Sequence, residues 1–292
     1  MKRKIVFLLA CLVASALFFT ACESGNQGQE GKEAAAPKKI KLVYVEWSDA
    51  VASTNVMKVL LEDLGYKVET LPVSAAAMWQ SVATGNADAM VAAWLPTTHK
   101  HYYEKVKDQV ENLGPNVEGT RIGLVVPEYV TISSIPELAK NADKFDEKII
   151  GIDPGAGIMS STEKALEEYN LDMELVEGSG ATMTSALKGA IKNKEWIVVT
   201  GWNPHWKFIR WDLKYLKDPK KVYGEAGHVD TVVRQGLKKD MPEAYQLLDN
   251  FQWDIKDLEK VLMWNQEKKA DPYKNAKKWV KQNPEKVKQW MP

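Results

Sequence analysis

From Ile40 onward the chain alternates short β-branched apolar runs with stretches in which apolar residues recur every three or four positions. Lys41–Val45 (KLVYV) predicts a strand. Val56, Val59, Leu60 and Leu64 fall on one face of a helix over Ser53–Leu64, with Gly65 placed to end it. Tyr66–Leu71 predicts the next strand, Ala75–Thr84 a helix closed by Gly85, and Ala89–Ala93 (AMVAA) a third, buried strand. The succession then returns. Lys148–Ile152 (KIIGI), Met173–Val176 and Trp196–Thr200 (WIVVT) predict strands, with helices over Ser160–Tyr169 and Thr182–Ile191 between them. Two strand–helix–strand–helix–strand units predict an α/β protein of mainly parallel sheets flanked by helices.

The units also agree in register. SAAAMWQSVATGNADAMVAAWLPTTH in the first stands beside SGATMTSALKGAIKNKEWIVVTGWNPHW in the second. Both pass from a Ser-x-Ala-x-Met helix start to a buried strand that ends in Trp-x-Pro, at Trp94-Leu95-Pro96 and Trp202-Asn203-Pro204. Two lone strands, Arg121–Pro127 (RIGLVVP) and Val229–Arg234 (VDTVVR), separate and follow the units. They predict crossings between two lobes that shut like a clamshell, with residues 39–122 and 230–292 in one lobe and 123–229 in the other. The tail is helical: Asp254 is placed to cap Ile255–Met263, Asp271-Pro272 opens a helix and Asn283-Pro284 another. Trp253, Trp264, Trp279 and Trp290 recur on this tail with Leu, Val and Phe, the pattern of helix-to-lobe packing.

Ahead of this body, residues 1–22 read MKRKIVFLLACLVASALFFTAC. A basic start, an apolar run from Ile5 to Phe19 and small residues before Cys22 describe a secretory leader, too short for a spanning helix. Phe19-Thr20-Ala21-Cys22 resembles a bacterial lipoprotein cleavage box, which makes residues 1–21 the signal peptide and Cys22 the lipidated N-terminus. The polar segment after Cys22, ESGNQGQEGKEAAAPKK, reads as a flexible tether of about 15 residues, and residues 22–38 are assigned to the lipidated Cys and tether. The expected localisation is the outer face of the cell membrane, with the lipid as the sole membrane attachment.

Composition narrows the function. The 39 basic and 39 acidic side chains cancel, and without Lys2, Arg3 and Lys4 of the leader the remainder is at −3. A nucleic-acid binder would carry a basic face instead. Both cysteines, Cys11 and Cys22, lie among the first 22 residues, so the body has no disulfide framework, zinc cluster or thiol nucleophile. Tryptophan is the outlier, with 11 Trp against 6 Phe.

In open α/β sheets ligands bind beyond the carboxyl ends of the strands. Trp47 follows KLVYVE, Trp94 follows AMVAA and Trp202 follows WIVVTG, so all three leave strand ends at corresponding places. Several indole faces on one cleft suit a cation that cannot donate hydrogen bonds, a quaternary ammonium above all. A Lys or Arg ligand would call for carboxylates, and only Glu46, Asp49 and Asp153 are near. The turn Asp153-Pro154-Gly155-Ala156-Gly157-Ile158-Met159-Ser160-Ser161 runs into a helix start, where backbone N–H groups face an anion. It lacks the residues of a phosphate or dinucleotide loop. Opposite a Trp cage that turn is a place for the carboxylate of a zwitterion, and His99, five residues after Trp94, is placed to donate to it, whereas His101, His205 and His228 have no comparable position. No nucleophile–base constellation or HExxH-like spacing occurs, which argues against an enzyme, and no cofactor is expected.

The motifs VYVEWSDAVASTNV, AAWLPTTHK, IIGIDPGAGIMS and VTGWNPHWKF resemble those of the glycine-betaine-binding lipoproteins of osmoprotectant ABC importers, over nearly all of the body from Ile40. The resemblance implies a type II periplasmic-binding fold, a permease and an ATPase as partners, and a three-tryptophan prism around the trimethylammonium group. Carried onto this chain, the prism is Trp47, Trp94 and Trp202, and the ligand carboxylate meets the N–H groups of Gly157 and Ile158 and the His99 side chain. Some members of that family hold the two units in the opposite order. A choline or carnitine receptor is the nearest alternative, an extracellular hydrolase a more distant one. Choline has no carboxylate and would leave His99 and the turn at Gly157 idle.

Overall fold

The computed structural model describes residues 38–292, so the leader, Cys22 and the tether through residue 37 lie outside the described residues. Within them the first unit is β1 (Lys39–Tyr44), α1 (Ser48–Asp63), β2 (Lys67–Pro72), α2 (Ala75–Ala83) and β3 (Ala89–Leu95). Helix α3 (Lys100–Val106) leads into the long strand β4 (Val110–Pro127). The second unit is β5 (Lys148–Ile150), α4 (Gly157–Glu168), β6 (Glu174–Val176), α5 (Gly180–Asn193) and β7 (Val199–Asn203). After α6 (Lys207–Arg210), β8 (Leu213–Tyr215) and β9 (Gly227–Arg234), the chain is helical. The tail comprises α7 (Leu237–Asp240), α8 (Pro242–Asn250), α9 (Ile255–Trp264), α10 (Pro272–Gln282) and α11 (Pro284–Trp290).

The strands pair in the order β2-β1-β3-β9-β4-β7-β5-β6, with β8 beside β4. In each unit the first strand lies between the second and third and runs parallel to both. The duplication read from the residues is therefore a duplication of topology. Local signals support it: the Ser74 hydroxyl caps α2, Ser179 and Thr182 form a reciprocal capping box on α5, and Asp271 caps α10. Asp254 precedes α9 as expected but makes no cap bond, because its carboxylate pairs with Lys286 instead.

Strand β4 carries the chain from one half of the sheet to the other. Its first part, from Val110 to Thr120, pairs with β9, and Arg121–Pro127 pairs with β7 and β8. The expected strand covered only the second part. The first part is hidden in the sequence by three register shifts, with Gly114 and Gly119 at positive φ beside them, which break the alternation that marks a strand. Strand β9, expected as a second crossing, pairs only with β3 and β4 and so lies wholly in the first half.

Helix α1 begins at Ser48 rather than Ser53, and its buried residues include Asp49, Ser53 and Thr54. Polar side chains turned inward conceal a helix from hydrophobic periodicity. The tail packs as predicted, with Trp253, Trp279 and Trp290 buried in the core and Trp264 partly buried against it. Trp279 stacks on Trp290 at 5.5 Å between centroids and tilts on Trp253 at 4.9 Å. Trp264, half-buried against the core, also carries the Lys260 and Lys278 ammoniums over its ring. Because Trp279 has no solvent exposure, Trp279→Ala is expected to cost about 3–5 kcal/mol. A thermal melt checks this, and ligand affinity should be nearly unchanged.

Candidate functional site

The N-terminus of α1 and the ends of β3 and β7 meet where the two halves of the sheet face each other. Trp47 occupies the N-cap position of α1. Trp94 and Trp202 sit inside the last residues of β3 and β7, not in the loops after them, because both strands run on past the ends expected for them. Each strand is followed by an X–Pro bond in the cis form. The three indoles, each about 5–6% exposed, line one small cavity. Thr98, His99, Gly157 and Ile158 line the same cavity, and Ile122, Ile152 and Ala156 complete its apolar wall.

Carboxylates set the rings in place. Asp49 accepts from the Nε1–H of Trp94 at 3.1 Å through one oxygen and from that of Trp202 at 3.0 Å through the other. Asp153, which follows β5 as Asp49 follows β1, accepts from Trp47 Nε1–H at 3.0 Å. Two of these three bonds join the first unit to the second, as does the bond from Tyr102 Oη to the Gly155 carbonyl at 2.9 Å. The packing tryptophans differ: the buried Nε1–H groups of Trp79, Trp253 and Trp279 have no partner among the described residues. With their N–H edges tied to carboxylates, Trp47, Trp94 and Trp202 can turn π faces to the cavity. Asp49 is buried, and desolvation raises its carboxyl to about 6 against the two indole bonds that favour the anion.

A helix start also lines the cavity. Helix α4 opens at Gly157, Ala156 at the N-cap offers no side-chain bond, and the amides of Gly157 and Ile158 have no acceptor among the described residues. Two unpaired N–H groups at the positive end of a 12-residue helix are an anion site. Gly157 is required there: a Cβ would stand 2.0 Å from the Thr98 carbonyl oxygen of the opposite unit. His99 lines the cavity as well. Its Nδ1 accepts from the Trp94 amide at 3.1 Å while its own amide donates to the Trp94 carbonyl at 2.8 Å, so the ring's proton belongs on Nε2. Burial, with His101 nearby, lowers its pKa to about 3 and keeps it a neutral donor.

All six residues singled out for ligand contact thus line one cavity. Other residues there were missed. Asp49 and Asp153 stood out only as nearby acids, and nothing in their spacing tells that they bind indoles across a cleft. His205 had no assigned role. It is buried 4.6 Å edge-on to Trp202, with Nδ1 accepting from the Lys207 amide at 3.0 Å, and so braces that ring. His101 is exposed, and His228 pairs with Asp230 away from the cavity.

The sequence of residues 38–282 matches the family model described as the substrate binding domain of ABC-type glycine betaine transport system. A stretch of 151 residues is 50% identical to the glycine betaine/carnitine transport binding protein GbuC of Listeria monocytogenes, covering 51% of this chain and half of that relative's length. The fold is similar to the glycine betaine/L-proline-binding protein ProX of Borrelia burgdorferi, with a TM-score of 0.85 and 44% identity over 87% of this chain and 97% of that one. It is also similar to lactococcal OpuAC in its closed-liganded conformation with glycine betaine, with a TM-score of 0.82 and 45% identity over 87% of this chain and all of that one. The architecture is accordingly that of the type II periplasmic-binding proteins, a two-lobe clamshell.

Proposed function

The chain belongs to the family of substrate-binding domains of ABC-type glycine betaine transport systems, and from that membership and the cleft geometry we propose that it captures glycine betaine and hands it to an ABC importer. The observation that carries this reading is a single cavity lined both by three indoles and by a helix start whose first two amides have no partner among the described residues. A quaternary ammonium offers no hydrogen to bond, so it is held by π faces, while a carboxylate takes the amides and His99 Nε2–H. Glycine betaine is a small zwitterion with both groups. Carnitine shares both groups on a longer frame, while choline lacks the carboxylate. The protein binds without turning its ligand over.

Trp47, Trp94 and Trp202 form the cation cage, and Gly157, Ile158 and His99 the carboxylate site. Residues 39–122 with 230–292 make one lobe and 123–229 the other. The partners are the permease and ATPase subunits of the importer, met at the outer face of the membrane, where Cys22 carries the lipid. No helix among the described residues is long and apolar enough to cross a membrane. Cys22→Ala is expected to move the protein from the membrane fraction to the soluble fraction with ligand binding intact. Fractionation followed by immunoblotting checks it.

Calorimetric titration with betaine, carnitine and choline tests the function. Saturable binding with betaine preferred over choline is expected, and absence of betaine binding overturns the reading. His99→Ala should weaken betaine about tenfold, the worth of one charge-assisted hydrogen bond, and leave choline nearly unchanged. A disturbed Trp94 would instead weaken both ligands equally.

A further inference from the structure

Lys207, the first residue of α6, is fully buried, and its Nζ has no hydrogen-bond partner among the described residues. An ammonium in that condition is costly and calls for a reason. What it has instead is aromatic: Nζ stands 4.2 Å from the centroid of Trp202 and 5.4 Å from that of Phe208. Lys207 lines no part of the cavity, so it meets Trp202 from outside the cage.

Resting on the reading of the indoles as a cation cage, we propose that Lys207 sets the affinity of the site by competing with a quaternary ammonium for Trp202. A ring's quadrupole attracts cations to its faces. With an ammonium already on the outer side, the ring attracts a second cation less, and the two charges repel through it. Binding and the Lys207 proton are therefore linked, and each disfavours the other.

The groups facing Lys207 decide where the linkage operates. Asp49 approaches from α1, holding Trp202 Nε1–H, and His205 approaches from the turn after β7. Burial lowers the Lys207 ammonium to about 7, with the Asp49 charge opposing. His205 is held well below its ordinary value by burial and the adjacent ammonium, so it stays neutral at physiological pH. Asp49 titrates at about 6, and its ionised form attracts the ligand cation. Deprotonation of either group favours binding, so affinity rises with pH, through Asp49 first and Lys207 above it.

Neither betaine nor choline titrates between pH 6 and 8, which makes the linkage readable by calorimetry in two buffers of different ionisation enthalpy. For the unmodified protein, affinity for both ligands should rise about tenfold from pH 6 to 8, the scale of two charges separated by one ring at intermediate dielectric. Protons should be released on binding at pH 7. Lys207→Met, which keeps the length and apolar bulk, should bind more tightly than the unmodified protein at pH 6, converge with it at pH 8, and lose most of the proton release. Saturable binding with a flat pH profile and no proton release overturns this inference and leaves the cage standing. So does a Lys207→Met variant that keeps the full slope and proton release. Absence of betaine and choline binding at every pH overturns the cage reading, and this inference with it.

Discussion

Trp94→Ala is expected to weaken betaine binding by at least about 30-fold, since one desolvated cation–π contact is worth about 2 kcal/mol. The structure adds a second loss. Trp94 Nε1–H is one of two indole donors to the buried Asp49, and the other belongs to Trp202. Removing the ring leaves that carboxylate under-bonded beside the cage and frees Trp202 to turn, so the effect should spread beyond one wall. Trp94→Phe separates the two contributions: it keeps a π face and loses the N–H, and should fall between the unmodified protein and Trp94→Ala. Trp47→Ala should behave differently in detail. Its donor bond goes to Asp153 alone, so Trp94 and Trp202 keep their shared anchor. Betaine titration of the three single variants checks the ranking. If all three cage tryptophans prove replaceable by Ala without loss of binding, the cage and the proposed ligand fall together.

Six of the ten residues that line the cavity were singled out from the sequence because each leaves a local mark. A tryptophan near the end of a buried run, repeated at matched places in two units, is visible without coordinates, as is a Gly-rich turn before a helical period. The residues that hold those side chains in place leave no such mark. Asp49 binds Trp202 across 153 positions of sequence and Asp153 binds Trp47 across 106, and nothing local distinguishes either acid from a solvated one. Lys207 reads as an ordinary basic residue at a helix start, and only its burial against Trp202 reveals it. The fold divides in the same way. Parallel strands flanked by helices follow from periodicity, whereas the first part of β4 and the start of α1 were missed. Register shifts and inward-facing polar side chains erase the pattern there.

Gly157→Ala is expected to abolish high-affinity binding, by at least about 100-fold, although it adds a single methyl group to a helix start where alanine is otherwise well tolerated. The new Cβ would lie 2.0 Å from the Thr98 carbonyl oxygen and 2.6 Å from its carbonyl carbon. Both are backbone atoms of the opposite unit, so no side-chain rotation relieves the clash. The units must instead stand apart, and three things are then lost together. The amides of Gly157 and Ile158 leave the carboxylate, which costs two charge-assisted hydrogen bonds of about 1.5–3 kcal/mol each. The bonds from Trp47 to Asp153 and from Trp202 to Asp49 stretch, because each joins one unit to the other. Water enters the cavity and screens the cation–π contacts that remain. Each unit alone should be undisturbed, so the thermal melt without ligand should change little. Small-angle scattering distinguishes closure from local damage: the unmodified protein should shrink on adding betaine, and Gly157→Ala should keep its open radius at ligand concentrations that saturate the unmodified protein. Betaine-induced shrinkage of Gly157→Ala equal to that of the unmodified protein would show that the helix start moves aside, and the contact between Gly157 and Thr98 would then not govern closure.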